Sequence, residues 1–236
     1  MDPCTIHECI SINKEIYPTI PTREVATVDT ARGAMVANVS LQQDEAIIRI
    51  NIAAKTYREA EEARIRLAEW AASSRGRTAE LEPTNKPGKA YQAILSKCGR
   101  IEHRFTTVDV AFLLPRPVLH SMAESTAGGS GTEMTFVTGG TAETQPVFLH
   151  TLSQNAEGLQ MVVDGTTFFA IDGTINAGQT VKYDLKTGET LIDGRHAENR
   201  ILYAQINPDI ELMPGTHRLE VSEAGNMTVR WHDEWL

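Results

Sequence analysis

The apolar positions of this chain follow two periods. In "AIIRINIA" (46–53), Ile48, Ile50 and Ile52 fall on one side of an extended segment, and Ile47, Arg49 and Asn51 fall on the other. A period of two predicts a half-buried strand. "REVATVD" and "AMVANVS" upstream read as strands as well, and the polar "LQQDE" turns the chain into the next one. At Thr56 the period changes. Through "TYREAEEARIRLAEWAASS", Ala60, Ala63, Leu67, Trp70 and Ala71 recur at helical spacing, which predicts one long amphipathic helix. Thr56 and Glu59 are spaced as a capping box, the hydroxyl accepting from the Glu59 amide while the carboxylate reaches back. Glu62 and Arg66 are spaced for an i,i+4 ion pair on the wet side. Ile65 sits roughly 140° around the helix from Ala60. It is expected to be exposed, or else to be covered by a neighbouring domain or subunit.

After the helix, "PTNKPGK" reads as a turn-rich loop, and "YQAILSK" and "FTTVDVAFLL" return to strand character. "PRP" (115–117) ends the second of these, because proline cannot donate to a strand ladder. The small residues of "STAGGSGT" (125–132) read as a flexible connection between domains. The predicted organisation is a β-rich domain with one helix over 1–117, a linker over 118–131 and a second domain over 132–236. Limited proteolysis is expected to cut at the linker. The second half is predicted to be all-β, with "EMTFV", "PVFLHTL", "LQMVVD", "TTFFAI", "TVKYD", "ETLID", "RILYAQI", "HRLEV" and "MTVRWH" as short strands. Glycine, asparagine and proline at the joints give the pattern of a sandwich or jelly roll.

Composition narrows the classes. The chain has 236 residues, 41% of them hydrophobic, which is enough for one large or two small packed domains. The formal net charge is −9, with lysines and arginines scattered, so binding through neutralised phosphates is not expected. Three cysteines (Cys4, Cys9, Cys98) make an odd count that fits reduced thiols better than a disulfide framework. "MDPCTIHECISINKE" has neither a basic nor an apolar signal region, and no apolar run is long enough to span a bilayer. A soluble, non-secreted protein is expected.

Candidate chemistry is thin. "TVKYDLKTGETLIDGR" gathers Asp184, Glu189 and Asp193 between glycines, but its alternation and its "KTG" and "DG" turns read as a hairpin. The ligand spacing of a calcium loop is not met. Cys4, His7 and Cys9 supply three metal-ligating side chains where a structural zinc needs four. Cys98 and His103 would make a nucleophile–base couple only if the fold brought them together. No G-x-S-x-G, H-E-x-x-H or P-loop occurs, and "TGGT" (138–141) reads as a turn. Trp231 and Trp235 share strand parity with Val229. They are expected to face the core with Met227, the alternative being a stacking platform for sugars. No catalytic, cofactor-binding or metal-binding residue is assigned.

The succession of features resembles the distal tail proteins of long-tailed (siphovirus-type) phages or prophages. It runs through "TARGA", the strand and helix of "AIIRINIAAKTYREAEEARIRLAEWAAS", "ELEPTNKPGKAYQAIL" and "VDVAFLLPRP". It continues with "GTAETQPVFLHTL", "GQTVKYDLKTGETLIDGR" and "LMPGTHRLEV". The resemblance implies a mainly β fold with one long helix, in which an N-terminal α+β ring-forming domain precedes a galectin-like β-sandwich. It also implies a structural virion protein, not an enzyme, that forms a homohexameric ring between the tail tube protein and the tail-tip hub. Such a ring would be assembled in the bacterial host cytoplasm and reside in the virion tail. DNA would pass through it without specific binding, along a bore with more carboxylates than amines. The chain has no room for the large inserted arm or sugar-binding module of some members. The second reading, from a different class, is a β-sandwich carbohydrate-binding protein.

Overall fold

Strand pairing organises both halves of the chain. The structure, a computed structural model, describes residues 10–13, 23–30, 33–41, 44–74, 76–99 and 107–236. Its chain separates into two units, Met1–His120 together with Leu236, and Ser121–Trp235.

The first unit contains β1 (Ile10–Asn13), β2 (Arg23–Thr30), β3 (Gly33–Leu41), β4 (Asp44–Ile52), α1 (Tyr57–Ser74), β5 (Thr78–Leu81), β6 (Lys89–Cys98) and β7 (Thr107–Leu114), and ends in β8 (Leu119–Ser121). Its sheet runs β1-β4-β7-β6-β8, with β5 also paired to β6. The alternation in β4 is realised: Ala46, Ile48, Ile50 and Ile52 are buried, while Ile47 on the opposite face is 63% exposed. Ala46, Ile48 and Ile50 stand opposite Phe112, Val110 and Val108 of β7. Helix α1 covers this face, burying Ala63, Leu67 and Trp70, with the Trp70 ring 6.3 Å from that of Phe112. β2 and β3 pair only with each other among the described residues.

The helix start differs from the expected box in one bond. The Glu59 amide donates to Thr56 Oγ1 at 3.2 Å, but the Glu59 carboxylate accepts from the Lys55 amide, at 2.9 Å. The expected Glu62–Arg66 pair is replaced by Arg58–Glu62 at 2.9 Å and Arg66–Glu69 at 3.2 Å. Each charge has a competing partner one turn away, and on an exposed face such alternatives differ by only a few tenths of a kcal/mol. Arg64 lies in the buried stripe, its guanidinium donating to Glu61 at 3.0 Å.

The second unit holds β9 (Ser125–Thr138), β10 (Val147–Leu152), β11 (Ala156–Val163), β12 (Thr166–Ile175), β13 (Thr180–Asp184), β14 (Thr190–Ile192), β15 (Arg195–His196) and β16 (Gly215–Trp231). The hydrogen-bonded path is β12-β11-β16-β10-β13-β14-β15, with β9 along β16. "HRLEV" and "MTVRWH" are thus halves of one 17-residue strand, interrupted by a register shift between Glu220 and Gly225. Before the shift β16 pairs with β11, and after it with β10. β12 and β13 lie four strands apart on this path, roughly 19 Å in a flat sheet at ~4.8 Å per step. Yet the Phe168 ring of β12 is 4.5 Å from Phe148 of β10 and 5.9 Å from Tyr183 of β13. The sheet therefore curls over into two layers around a core that includes Phe136, Phe148, Met161, Phe168, Tyr183 and Val229.

Two expectations are corrected. The supposed linker "STAGGSGT" lies almost wholly within β9, where Ser125 pairs with Trp231, Ala127 with Val229 and Gly129 with Met227. Its small residues serve close approach: a Cβ on Gly129 would lie 2.8 Å from Met134 Cβ. "RILYAQI" is not a strand but two short 3-10 turns, Glu198–Arg200 and Tyr203–Gln205. Arg200 anchors this segment by donating to the Asp172 carbonyl at 2.6 Å, and the Leu202 amide donates to the Ala170 carbonyl at 2.9 Å.

Two outcomes follow from this pairing. Limited proteolysis of the native chain should spare 125–131, and early cleavage there would contradict the strand. Phe168→Ala removes a fully buried ring that joins the two layers, and should cost about 3–5 kcal/mol in denaturant unfolding.

Candidate functional site

The carboxylates of the acidic hairpin are each committed to a separate partner. β13 pairs with β14 through Val181–Ile192, Lys182–Leu191 and Tyr183–Thr190. Asp184 Oδ1 accepts from the Lys186 and Thr187 amides at 2.9 and 3.2 Å, and the Gly188 amide closes the turn onto the Asp184 carbonyl. Glu189 accepts from Lys182 Nζ at 2.6 Å. Asp193, in the left-handed region at φ 48°, accepts from the Thr180 amide at 2.8 Å and from Gln179 Nε2 at 3.0 Å. The Thr180 amide, and after it Gln179, hold the Asp193 carboxyl below its ordinary range. This is the chemistry of a pinned turn. Among the described residues, no group of three or more His, Cys, Asp and Glu converges on a metal position.

Cys4, His7, Cys9 and His103 lie outside the described residues. Cys98 ends β6 half-buried, and burial pushes its thiol upward, away from an activated thiolate. Trp231 is buried with Met227 and Val229, and its ring is 5.6 Å from Phe136. Its indole donates to Asp233 Oδ1 at 2.9 Å, and the same oxygen accepts from the Gly139 amide at 2.7 Å. Of the two candidate stacking residues, Trp231 belongs to the core, and Trp235 is half-exposed in the short strand Glu234–Trp235.

Two histidines carry interactions that nothing in the sequence marked. Asp164 and Gly165, at φ 49° and 81°, turn β11 into β12. His217 Nδ1 lies 2.7 Å from Asp164 Oδ2, and the Arg218 amide donates to Asp164 Oδ1 at 2.8 Å. On its other side, His217 Nε2 is 2.8 Å from the Met213 carbonyl and 3.1 Å from Thr138 Oγ1. One buried imidazole thus ties a hairpin turn to both β9 and the approach to β16. The sequence reading singled out neither Asp164 nor its partner, 53 residues away. His150 is 1% exposed, and desolvation lowers its pKa against the opposing pull of the Glu223 backbone. It lies against Gly225, where an added Cβ would meet His150 Cε1 at 2.7 Å. Both histidines are structural in character.

A family model described as the siphovirus-type tail component, C-terminal domain, matches residues 139–235, most of the second unit. Over nearly its whole length the chain also has the fold of the SPP1 Dit (gp 19.1) protein. The TM-score is 0.76 at 15% identity, covering 97% of this chain and 95% of that one. The second unit carries the C-terminal domain of a siphovirus-type tail component. Domain and fold together support a structural component of a phage tail. A component of the phage P2 baseplate, in the activated conformation with Ca, is similar at a TM-score of 0.46 and 7% identity, over 95% of this chain and 90% of that one. That likeness is too low to carry an argument. No match is found among curated proteins. Among the described residues, no helix of this tail protein is long and apolar enough to cross a membrane.

The Asp164–His217 contact predicts an acid response. Partial burial works to raise the Asp164 carboxyl, but the bonds from His217 and the Arg218 amide outweigh it and hold the carboxyl below its ordinary 3.8. A depressed carboxyl contributes stability that is full above the unfolded value and is lost as pH falls through the folded one. Asp164→Asn should therefore lower the melting temperature near neutrality and shrink the loss of stability between neutrality and acid. An unchanged acid profile would contradict this.

Proposed function

We propose that this chain is a distal tail protein that forms a homohexameric ring at the end of the tail, joining the tail tube to the tail-tip hub. The observation that carries the reading is the chain-length likeness in fold to SPP1 Dit, which is described as a paradigm of the hub adsorption apparatus in phages infecting Gram-positive bacteria. In this reading the first unit builds the ring, the second lies outside it, and tube and hub proteins bind opposite faces. A ring of like subunits needs a contact between two different patches of the same chain, repeated until the rotation closes.

The role is architectural, not enzymatic. The carboxylates of the acidic hairpin pin turns, and His217 and His150 are held inside the second unit. The carbohydrate-binding alternative loses one of its two aromatics to the core, since Trp231 is buried. The −9 charge suits a passage for DNA, because a wall of lysine and arginine would retain a duplex where carboxylates let it slide.

Light scattering on the purified chain should give the mass of a hexamer of the 26.0 kDa subunit. A monomer at all concentrations would contradict the ring. Gel shifts at micromolar protein and physiological salt should show no duplex-DNA affinity, and a clear shift would contradict a passive bore.

A further inference from the structure

β16 changes partner at one place. Up to Val221 it pairs with β11, and from Gly225 onward with β10, so residues 221–225 form the joint between the two pairings. The joint is held from outside by short polar side chains. The Ser153 amide and hydroxyl both donate to the Ala224 carbonyl, at 3.0 and 2.7 Å. The Gln160 amide donates to Ser222 Oγ at 3.0 Å, and Gln154 Nε2 donates to the Glu223 carboxylate at 3.4 Å. Ser153, Gln154 and Ser222 are exposed, so water competes for each of these bonds and the joint opens at low cost.

The underside of the joint is filled by a titratable ring. His150 of β10 is 1% exposed, and a Cβ on Gly225 would lie 2.7 Å from its Cε1. It stands opposite Met227 of β16 and Val181 of β13, and shares its face of β10 with Phe148 and Leu152, all of them buried. Among the described residues, the charged group that acts on it is Glu223 of the joint, whose backbone also bonds it. The next titratable group on this face is Tyr183 of β13, opposite Phe148. Desolvation prevails over the pull of Glu223 and lowers the affinity of the ring for a proton.

Two states of the joint therefore bind a proton differently. With the joint closed, a charge on His150 is buried among Met227, Val181, Phe148 and Leu152. With the joint open, the same charge meets water and the Glu223 carboxylate. A proton that prefers the open state shifts the equilibrium toward it. We infer that His150 is an acid-sensitive latch, which on taking up one proton opens residues 221–225 and loosens β16 from β10 while the first unit stays folded. The latch stands apart from the ring reading, since it acts within the second unit of a single chain. An imidazole held below its ordinary 6.5 contributes stability that is full above that value and is lost as pH falls through the folded one. The Asp164 carboxyl responds lower, below 3.8, so the two acid effects separate.

Amide hydrogen exchange of the full chain, followed from neutrality downward and corrected for the intrinsic rate, tests the latch. Below 6.5 the opening constant of residues 221–225 should rise by up to about tenfold per pH unit, the slope of a single proton. Amides of β4 and β7 should keep their protection over the same range. By NMR the His150 ring should titrate below 6.5 and the exposed His196, beside Glu198, above it. His150→Gln cannot take up the proton and should show no acid-induced opening of the joint. Should that variant fail to fold, the wild-type ring titration and the opening must still coincide. A joint that stays protected while the His150 ring titrates would overturn the inference. So would a ring that stays unprotonated until the carboxylates titrate, an equal opening in β4 and β7, or the same opening in a folded His150→Gln.

Discussion

Burial of Phe168 against Phe148 and Tyr183 is the contact on which the second unit depends. It joins strands that the hydrogen-bonded path holds four places apart, so it exists only because the sheet folds over. β16 makes the fold-over feasible. Its register shift between Glu220 and Gly225 lets one strand pair with β11 in its first half and β10 in its second. Gly225 sits at the end of that shift because the Thr151 carbonyl and the His150 ring leave no room for a Cβ. The buried imidazole of His150 packs there, and His217 uses its two nitrogens to tie down the start of the strand. Backbone pairing, aromatic packing and two buried histidines thus serve a single purpose, closure of the sandwich.

Much of this was legible in local pattern. The period of two in β4, the helical stripe of Ala63, Leu67 and Trp70, and the hairpin of β13 and β14 are each set by residues close in sequence. What escaped was decided at long range. "STAGGSGT" has the composition of a linker, yet it runs as an edge strand because β16, about a hundred residues downstream, pairs with it. "RILYAQI" has strand propensity, but Arg200 and Leu202 bond to the carbonyls of β12 and hold it as turns. The Asp164–His217 pair was invisible for the same reason: its two residues are 53 positions apart.

The same distinction applies to function. In the acidic hairpin each carboxylate answers to its own amide or amine. What the described residues offer instead is surface, with Ile47 of β4 63% exposed, together with an acidic balance over the chain. In the proposed ring, surfaces are the working parts, holding neighbouring copies in register.

Electron microscopy of the purified full-length chain tests that account most directly. It predicts closed rings in end view, six-fold symmetric, with the first unit around the lumen and the second unit projecting outward. Isolated monomers, open filaments, or rings whose lumen is lined by the second unit would contradict it.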